Sequence, residues 1–202
     1  DPHQVIEGMV IAAYAVGACK GYIYTRSQYQ QSVARTERAI DVARELGLLG
    51  TNIMGAGFDF DIEVFKGAGA FVCGEETALL ESLEGKRGES RNKPPYPPTV
   101  GLYGQPTVIN NVETIANVPH IIANGSKWYC SIGTDQSHGT KIFSACGDVQ
   151  YPGVYEVPFG ATLRDIIYNM SGGIKNGKKL KGVLMGGPSG VLVNEDALDS
   201  RL

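Results

Sequence analysis

Phe58-Asp59-Phe60-Asp61-Ile62-Glu63-Val64 runs through Phe65 and Lys66 into Gly67-Ala68-Gly69-Ala70-Phe71-Val72-Cys73-Gly74-Glu75-Glu76-Thr77, and on to Ala78, Leu79, Leu80 and Leu83. Apolar and acidic residues alternate over the first seven positions, the period of a half-buried strand, whereas the apolar residues at the far end recur at helical spacing. The stretch therefore reads as strand, glycine loop, helix. Glycines at such a junction let a backbone approach a ligand, and the free N–H groups of the helix start normally welcome phosphate. Glu75 and Glu76 oppose that use, because in the first turn their charges complement the helix dipole and repel an anion. Two readings of the pair stay open: the carboxylates cap the helix, or they accept hydrogen bonds from hydroxyls, ring N–H groups or a carboxamide of a ligand.

Upstream, Asp1 and Pro2 open a helix whose stripe Val5, Ile6, Met9, Val10, Ala13 and Val16 ends at Gly17, predicting a short, strongly buried element. Residues 21–26 are rich in strand formers, and Val33, Ile40, Ala43 and Leu46 then space a polar helix stopped by Gly47. Strand, helix and strand in succession predict a βαβ crossover, hence α/β architecture with a parallel or mixed sheet covered by helices, over residues 1–130. Residues 141–146 and 154–157 read as a hairpin pair. Thr162 sits three before Asp165 as a capping box, and Leu163, Ile166, Ile167 and Met170 make a helical stripe ended by Gly172-Gly173. Residues 183–185 form a last strand before Gly186-Gly187-Pro188. The order ββαβ predicts a helix packed across a small mixed sheet over residues 139–202, with 126–139 as the linker.

The 202 residues carry 18 Lys and Arg against 21 Asp and Glu, a net charge of −3, which offers no electrostatic case for nucleic acid. The longest apolar run, Met9 to Val16, is far too short to span a membrane, and no basic-then-apolar leader opens the chain. The expectation is a soluble protein without direct membrane insertion. Cys19, Cys73, Cys130 and Cys146 contain no CxxC pair, so no metal site is assigned to them; they are expected as buried thiols of a reducing cytoplasm. His3, His120 and His138 are too scattered for a triad or a metal cluster. Lys175, Lys178, Lys179 and Lys181 read as a solvated face.

Two further segments could carry binding chemistry. Lys86-Arg87 through Arg91 and Lys93-Pro94-Pro95-Tyr96-Pro97-Pro98 form an extended basic loop, in which Tyr96 is either a stacking surface held by prolines or part of a plain connector. Asn110-Asn111-Val112-Glu113 resembles a helix start in which Asn110 caps and Glu113 reaches back, leaving Asn111 for a ligand or a turn. Pro119 kinks or restarts that helix.

In this order, the segments beginning at Gly67, Lys93 and Val108-Ile-Asn-Asn-Val-Glu-Thr resemble the flavoprotein subunit of NADH dehydrogenase. That family includes the NADH-oxidising subunit of respiratory complex I and related subunits of NAD(P)-linked hydrogenases and formate dehydrogenases. The resemblance spans nearly the whole chain. It implies an FMN-binding α/β domain followed by a small β-grasp, soluble-ligand-binding domain, in a protein where FMN takes hydride from NADH and electrons pass singly to a [4Fe–4S] cluster. It implies that Gly74, Glu75, Asn110 and Asn111 contact FMN, that Glu76 lies at the nicotinamide end of NADH, and that Tyr96 stacks near its adenine. No residue of the chain is assigned as catalytic. Phe71 stands where the family usually has Tyr, and Tyr96 where it usually has Phe, so a hydrogen bond is lost at the first. The family's glycine-rich FMN loop lies upstream of everything here, and its cluster-binding CxxCxxC domain lies downstream. The chain is thus expected to be an internal piece with part of the flavin pocket and none of the cluster ligands. Partner subunits, among them a [2Fe–2S] subunit, are implied, with the assembly in the cytoplasm or peripheral to its membrane. A reading of another class makes the β-grasp part a ligand-binding or docking module and the first domain its scaffold.

Overall fold

The computed structural model describes residues 1–187 and 189–202; Pro188, read above as following the last strand, lies outside them. The chain divides into two compact units, residues 1–120 and 121–202.

In the first unit, helix α1 (Pro2–Val16) starts where the Asp1 carboxylate accepts the His3 N–H at 2.9 Å, and ends at Gly17 in the left-handed region. Strand β1 (Lys20–Arg26), helix α2 (Gln30–Glu45) and strand β2 (Asp61–Gly67) then complete the crossover, and the strands pair in parallel with Lys20 opposite Asp61 and Arg26 opposite Gly67. The α/β class is as expected, but the sheet of this unit has two strands and is wholly parallel. Its two faces are covered differently. Ile62, Val64 and Ile23 pack into a cluster with Ile6, Ala13, Ala39, Ile40 and Ala43 of α1 and α2. Tyr22, Tyr24 and Phe65, one residue out of phase, face the other way onto Leu80 and Leu83 of helix α3 (Glu76–Leu83) and onto Leu102. Period-two alternation thus produces three layers. The Arg44 guanidinium clamps α2 to β2 by donating to both Asp61 carboxylate oxygens at 2.9 and 3.0 Å and to the Ile62 carbonyl.

The structure corrects several boundaries. β2 begins at Asp61 rather than Phe58, because the Phe58 carbonyl accepts from Ile53 and Phe60 exchanges hydrogen bonds with Gly50, away from β1. α1 buries only Ile6, Gly8 and Ala13, so it is a covering helix and not a strongly buried one. Leu46 falls at the α2 C-cap, beyond the helical stripe, and is 67% exposed. Three of the four cysteines are exposed; Cys73 alone is buried.

Helix α4 (Val112–Asn124) carries Pro119 inside it without breaking. Residues 126–139, read as a linker, instead form helix α5 (Ser126–Cys130) and a turn closed by a Gly133–His138 bridge. The second unit then has hairpin β3 (Thr140–Ala145) with β4 (Gly153–Pro158), and hairpin β5 (Val183–Met185) with β6 (Val191–Val193). Both pairs are antiparallel and separate, in place of one mixed sheet. Thr162 and Asp165 form the expected reciprocal cap, yet Asp165–Met170 is wound as π-helix: Ser171 N–H reaches back five residues to Ile166. Leu163, Ile167, Val149 and Leu198 make the core beneath it.

α1 packs closely on α4: a Cβ at Gly8 would lie 2.2 Å from the Ile115 carbonyl oxygen. Gly8→Ala gains about 1 kcal/mol of helix propensity, but the clash is with backbone that cannot swing aside, and overpacking costs about 1–3 kcal/mol. The variant should be less stable by urea unfolding. A more stable variant would show that the α1–α4 approach is loose.

Candidate functional site

β2 delivers the chain to the glycine loop beneath α3. Gly67 has no room for a side chain, since a Cβ there would lie 2.3 Å from the Tyr24 hydroxyl, and Gly69 is in the left-handed region. The 3-10 turn Phe71–Gly74 follows, buries Cys73 and leaves Phe71 85% exposed. At Gly74 a Cβ would meet nothing within 4 Å, so the chain's own packing does not explain that glycine.

Glu75 is the N-cap of α3, not a residue of its first turn. Its Oε2 accepts from the Thr77 and Ala78 N–H groups at 2.9 Å each and from the Thr77 hydroxyl at 2.5 Å. Chiefly the Thr77 hydroxyl, aided by the Ala78 N–H and Lys93, holds this carboxyl down at about 2. Glu76 is the first helical residue, and Lys93 reaches across 17 positions to bind its Oε1 while lying 3.2 Å from Glu75 Oε1. Glu76, first, and Glu75 raise the Lys93 pKa. Tyr96, three residues on, is 57% exposed.

Reading the sequence placed Lys93 in a basic loop but missed it as the cation bridging the two glutamates. The signal available was a lysine directly before a proline-fixed aromatic. At α4 the capping residue is Asn111, whose Oδ1 accepts the Glu113 N–H at 2.8 Å while its carbonyl accepts from Ile115. Asn110, expected to cap, is exposed and stands one residue too early to reach those donors. Glu75, Glu76, Lys93 and the start of the Tyr96 segment are therefore brought together. Asn110 and Asn111 are tied to the same unit through Ile109, packed at the Leu80–Leu83–Leu102 cluster, and share no hydrogen bond with Glu75 or Glu76 among the described residues. Among the described residues no group of three His, Cys, Asp or Glu could hold a metal, and no helix is long and apolar enough to cross a membrane.

The corner thus offers an acidic edge and an uncrowded glycine, and the segments flanking it carry the exposed rings of Phe71 and Tyr96. Those features suit a planar, polar ligand with hydroxyl or amide donors and do not suit a bare phosphate.

The first 120 residues match the family described as the Nuo51 FMN-binding domain, and residues 143–192 match the SLBB domain. The chain belongs to the Nuo51 FMN-binding family, with an SLBB domain following. Among curated proteins it is 55% identical over 197 residues to the HndC subunit of the NADP-reducing hydrogenase of Solidesulfovibrio fructosivorans, covering 97% of this chain and 40% of that one. It is 50% identical over 199 residues to an NADH-quinone oxidoreductase subunit of Rhizobium meliloti, covering 98% of this chain and 47% of that one. The chain spans less than half the length of these relatives. In a crystal structure of an NAD+-reducing [NiFe]-hydrogenase in the H2-reduced state, one chain superposes with a TM-score of 0.87 at 40% identity, covering all of this chain and 34% of that one.

Two outcomes test the geometry. Thr77 is 2% exposed, and its hydroxyl also accepts the Arg91 N–H at 2.8 Å, so Thr77→Val should cost about 1–3 kcal/mol in urea unfolding. Glu75, and Glu84 beneath Lys86 and Arg91, are both held at about 2. Each carboxyl gives up its proton more readily folded than unfolded, so the stability it contributes is complete above the ordinary value of 4.5 and is lost as pH falls toward 2. Melting temperature should hold steady from neutrality to the carboxyl range and fall below it, with a shallower fall in Glu84→Gln. Identical acid profiles for the two proteins would contradict the Glu84 assignment.

Proposed function

We propose that the chain is part of an NADH-oxidising flavoprotein subunit, with a flavin- and nucleotide-binding portion over residues 1–130 and a β-grasp portion over 139–202. The family matches over 1–120 and 143–192 support a division in two, and the compact units, 1–120 and 121–202, divide ten residues earlier than the first bound. The relatives' names share one chemistry, oxidation or reduction of a nicotinamide nucleotide. The observation that carries the proposal is the corner where Glu75, Glu76 and Lys93 meet beside the open backbone of Gly74.

FMN, when bound, supplies hydride acceptance from NADH and release of electrons one at a time. The chain's own residues bind and orient. Gly74 lets the backbone approach the flavin, and Glu75, its Oε2 saturated by the helix start and its carbonyl taken by the Leu79 N–H, contributes Oε1. Asn110 presents an exposed amide to the flavin, while Asn111, whose Oδ1 caps α4, retains its amide donors for it. Glu76 accepts hydrogen bonds from the carboxamide or ribose of NADH, and Tyr96 offers its exposed ring to the adenine. A [4Fe–4S] cluster held outside these residues would take the electrons, and the whole subunit would work in the cytoplasm with partners that include a [2Fe–2S] subunit.

Glu76→Gln in the complete subunit keeps the shape and removes the charge. Losing one charged hydrogen bond is worth about 1.5–3 kcal/mol, so NADH oxidation should slow by roughly 10-fold to 150-fold with flavin content unchanged. Intact NADH kinetics with loss of flavin or of the fold would make Glu76 a helix-start residue only and overturn its assignment.

A further inference from the structure

Loop 91–101 carries both Lys93 and Tyr96, and one residue fastens its two ends. The Arg91 N–H donates to Thr77 Oγ1 at 2.8 Å, which fixes the start of the loop to the first turn of α3. Its guanidinium donates through Nε to Glu81 Oε1 at 2.5 Å, lies 2.8 Å from Glu84 Oε1 through Nη2, and donates through Nη1 to the Gly101 carbonyl at 3.2 Å. The last contact closes the loop on itself. At its far end Thr99 and Val100 N–H groups both donate to the Tyr96 carbonyl at 2.9 Å, and Thr107 N–H donates to Pro97 at 2.9 Å. Gly101 lies so close to Thr107 that a Cβ would sit 2.4 Å from it, so the point Arg91 holds is packed tightly against Thr107. The two carboxylates that grip the guanidinium are largely buried, 18% and 8% exposed, and cannot follow it into solvent.

We propose that Arg91 is a positioning residue for the nucleotide side of this site: it closes loop 91–101 onto α3, sets Lys93 against Glu75 and Glu76, and fixes the loop that carries Tyr96. The inference rests on the function proposed above. Arg91 reaches no reacting atom itself and acts through the loop. Lysine keeps the charge but cannot present the planar fork that serves two carboxylates and a carbonyl together.

The test uses Arg91→Lys, first in the 202-residue chain and then in the complete subunit. In the chain, amide exchange at Thr99 and Val100 should accelerate by about 10-fold or more while the amides of β1 and β2 keep their protection. In the complete subunit, KM for NADH should rise about 10-fold while kcat and bound flavin change by less than about 2-fold. Unchanged exchange at Thr99 and Val100 overturns the loop-closing role whatever the protein binds. A loosened loop with unchanged KM overturns the positioning role. A wild-type subunit that does not oxidise NADH would instead defeat the underlying function, leaving the exchange result to stand alone. Should Arg91→Lys lose its fold, Glu81→Gln removes one charge while retaining an acceptor, and the same exchange and KM criteria apply to it.

Discussion

The hydroxyl of Thr77 is used in both directions: it donates to Glu75 Oε2 at 2.5 Å and accepts the Arg91 N–H at 2.8 Å. At 2% exposure Thr77 is shielded from solvent. Through this one oxygen the N-cap of α3 and the start of the loop that follows it share a fixed geometry, so the acidic corner and the segment bearing Lys93 and Tyr96 cannot drift independently. A buried group satisfied on both sides is worth more as a constraint than as stabilisation, because losing either partner leaves the other orphaned.

That geometry is founded on the sheet. Tyr24 and Phe65 stack across the parallel strands with ring centroids 5.5 Å apart, and the Tyr24 hydroxyl continues to Ser82 Oγ of α3 at 3.0 Å. The same hydroxyl occupies the space a side chain at Gly67 would need. Gly88 is equally constrained, since a Cβ there would fall 2.5 Å from the Cys73 sulfur. Glycines 67 and 88 thus serve contacts within the chain. At Gly74 a Cβ would meet nothing within 4 Å, so no such contact within the chain calls for a glycine there.

Strand, loop and helix were legible in residues 58–83 because period and punctuation are local properties, and the capping chemistry of Asp1, Gly17, Thr162 and Asp165 was legible for the same reason. The start of β2 was not. Phe58 continues the alternation but its carbonyl is taken by Ile53, a choice made by the intervening turn. Of two adjacent asparagines, the one that caps α4 is selected by the helix register, which the contact of Ile115 with Gly8, more than a hundred residues away in sequence, helps to hold. Lys93 was visible as a charge, but its address at Glu75 and Glu76 depends on Arg91, Glu81 and Glu84, three positions whose pairing no local pattern encodes. The π-turn at Asp165–Met170 likewise keeps an apolar stripe that sequence periodicity cannot tell from an α-helix.

Two neighbouring, chemically identical side chains end with opposite roles, and backbone position alone decides which is which. Glu75 has extended dihedrals, φ −79° and ψ 136°, and so its carboxylate folds over the exposed N–H groups of the turn that follows. Glu76 is already helical, and its side chain meets Lys93 away from those N–H groups. The hydrogen bonds it accepts, that of the Thr77 hydroxyl above all, hold the cap carboxyl well below its ordinary value and so keep it ionised. The N–H groups of the helix start are thus answered by Glu75, while Glu76 adds its charge to the first turn without bonding them. One of its oxygens is engaged by Lys93, a cation that the loop 91–101 brings to it.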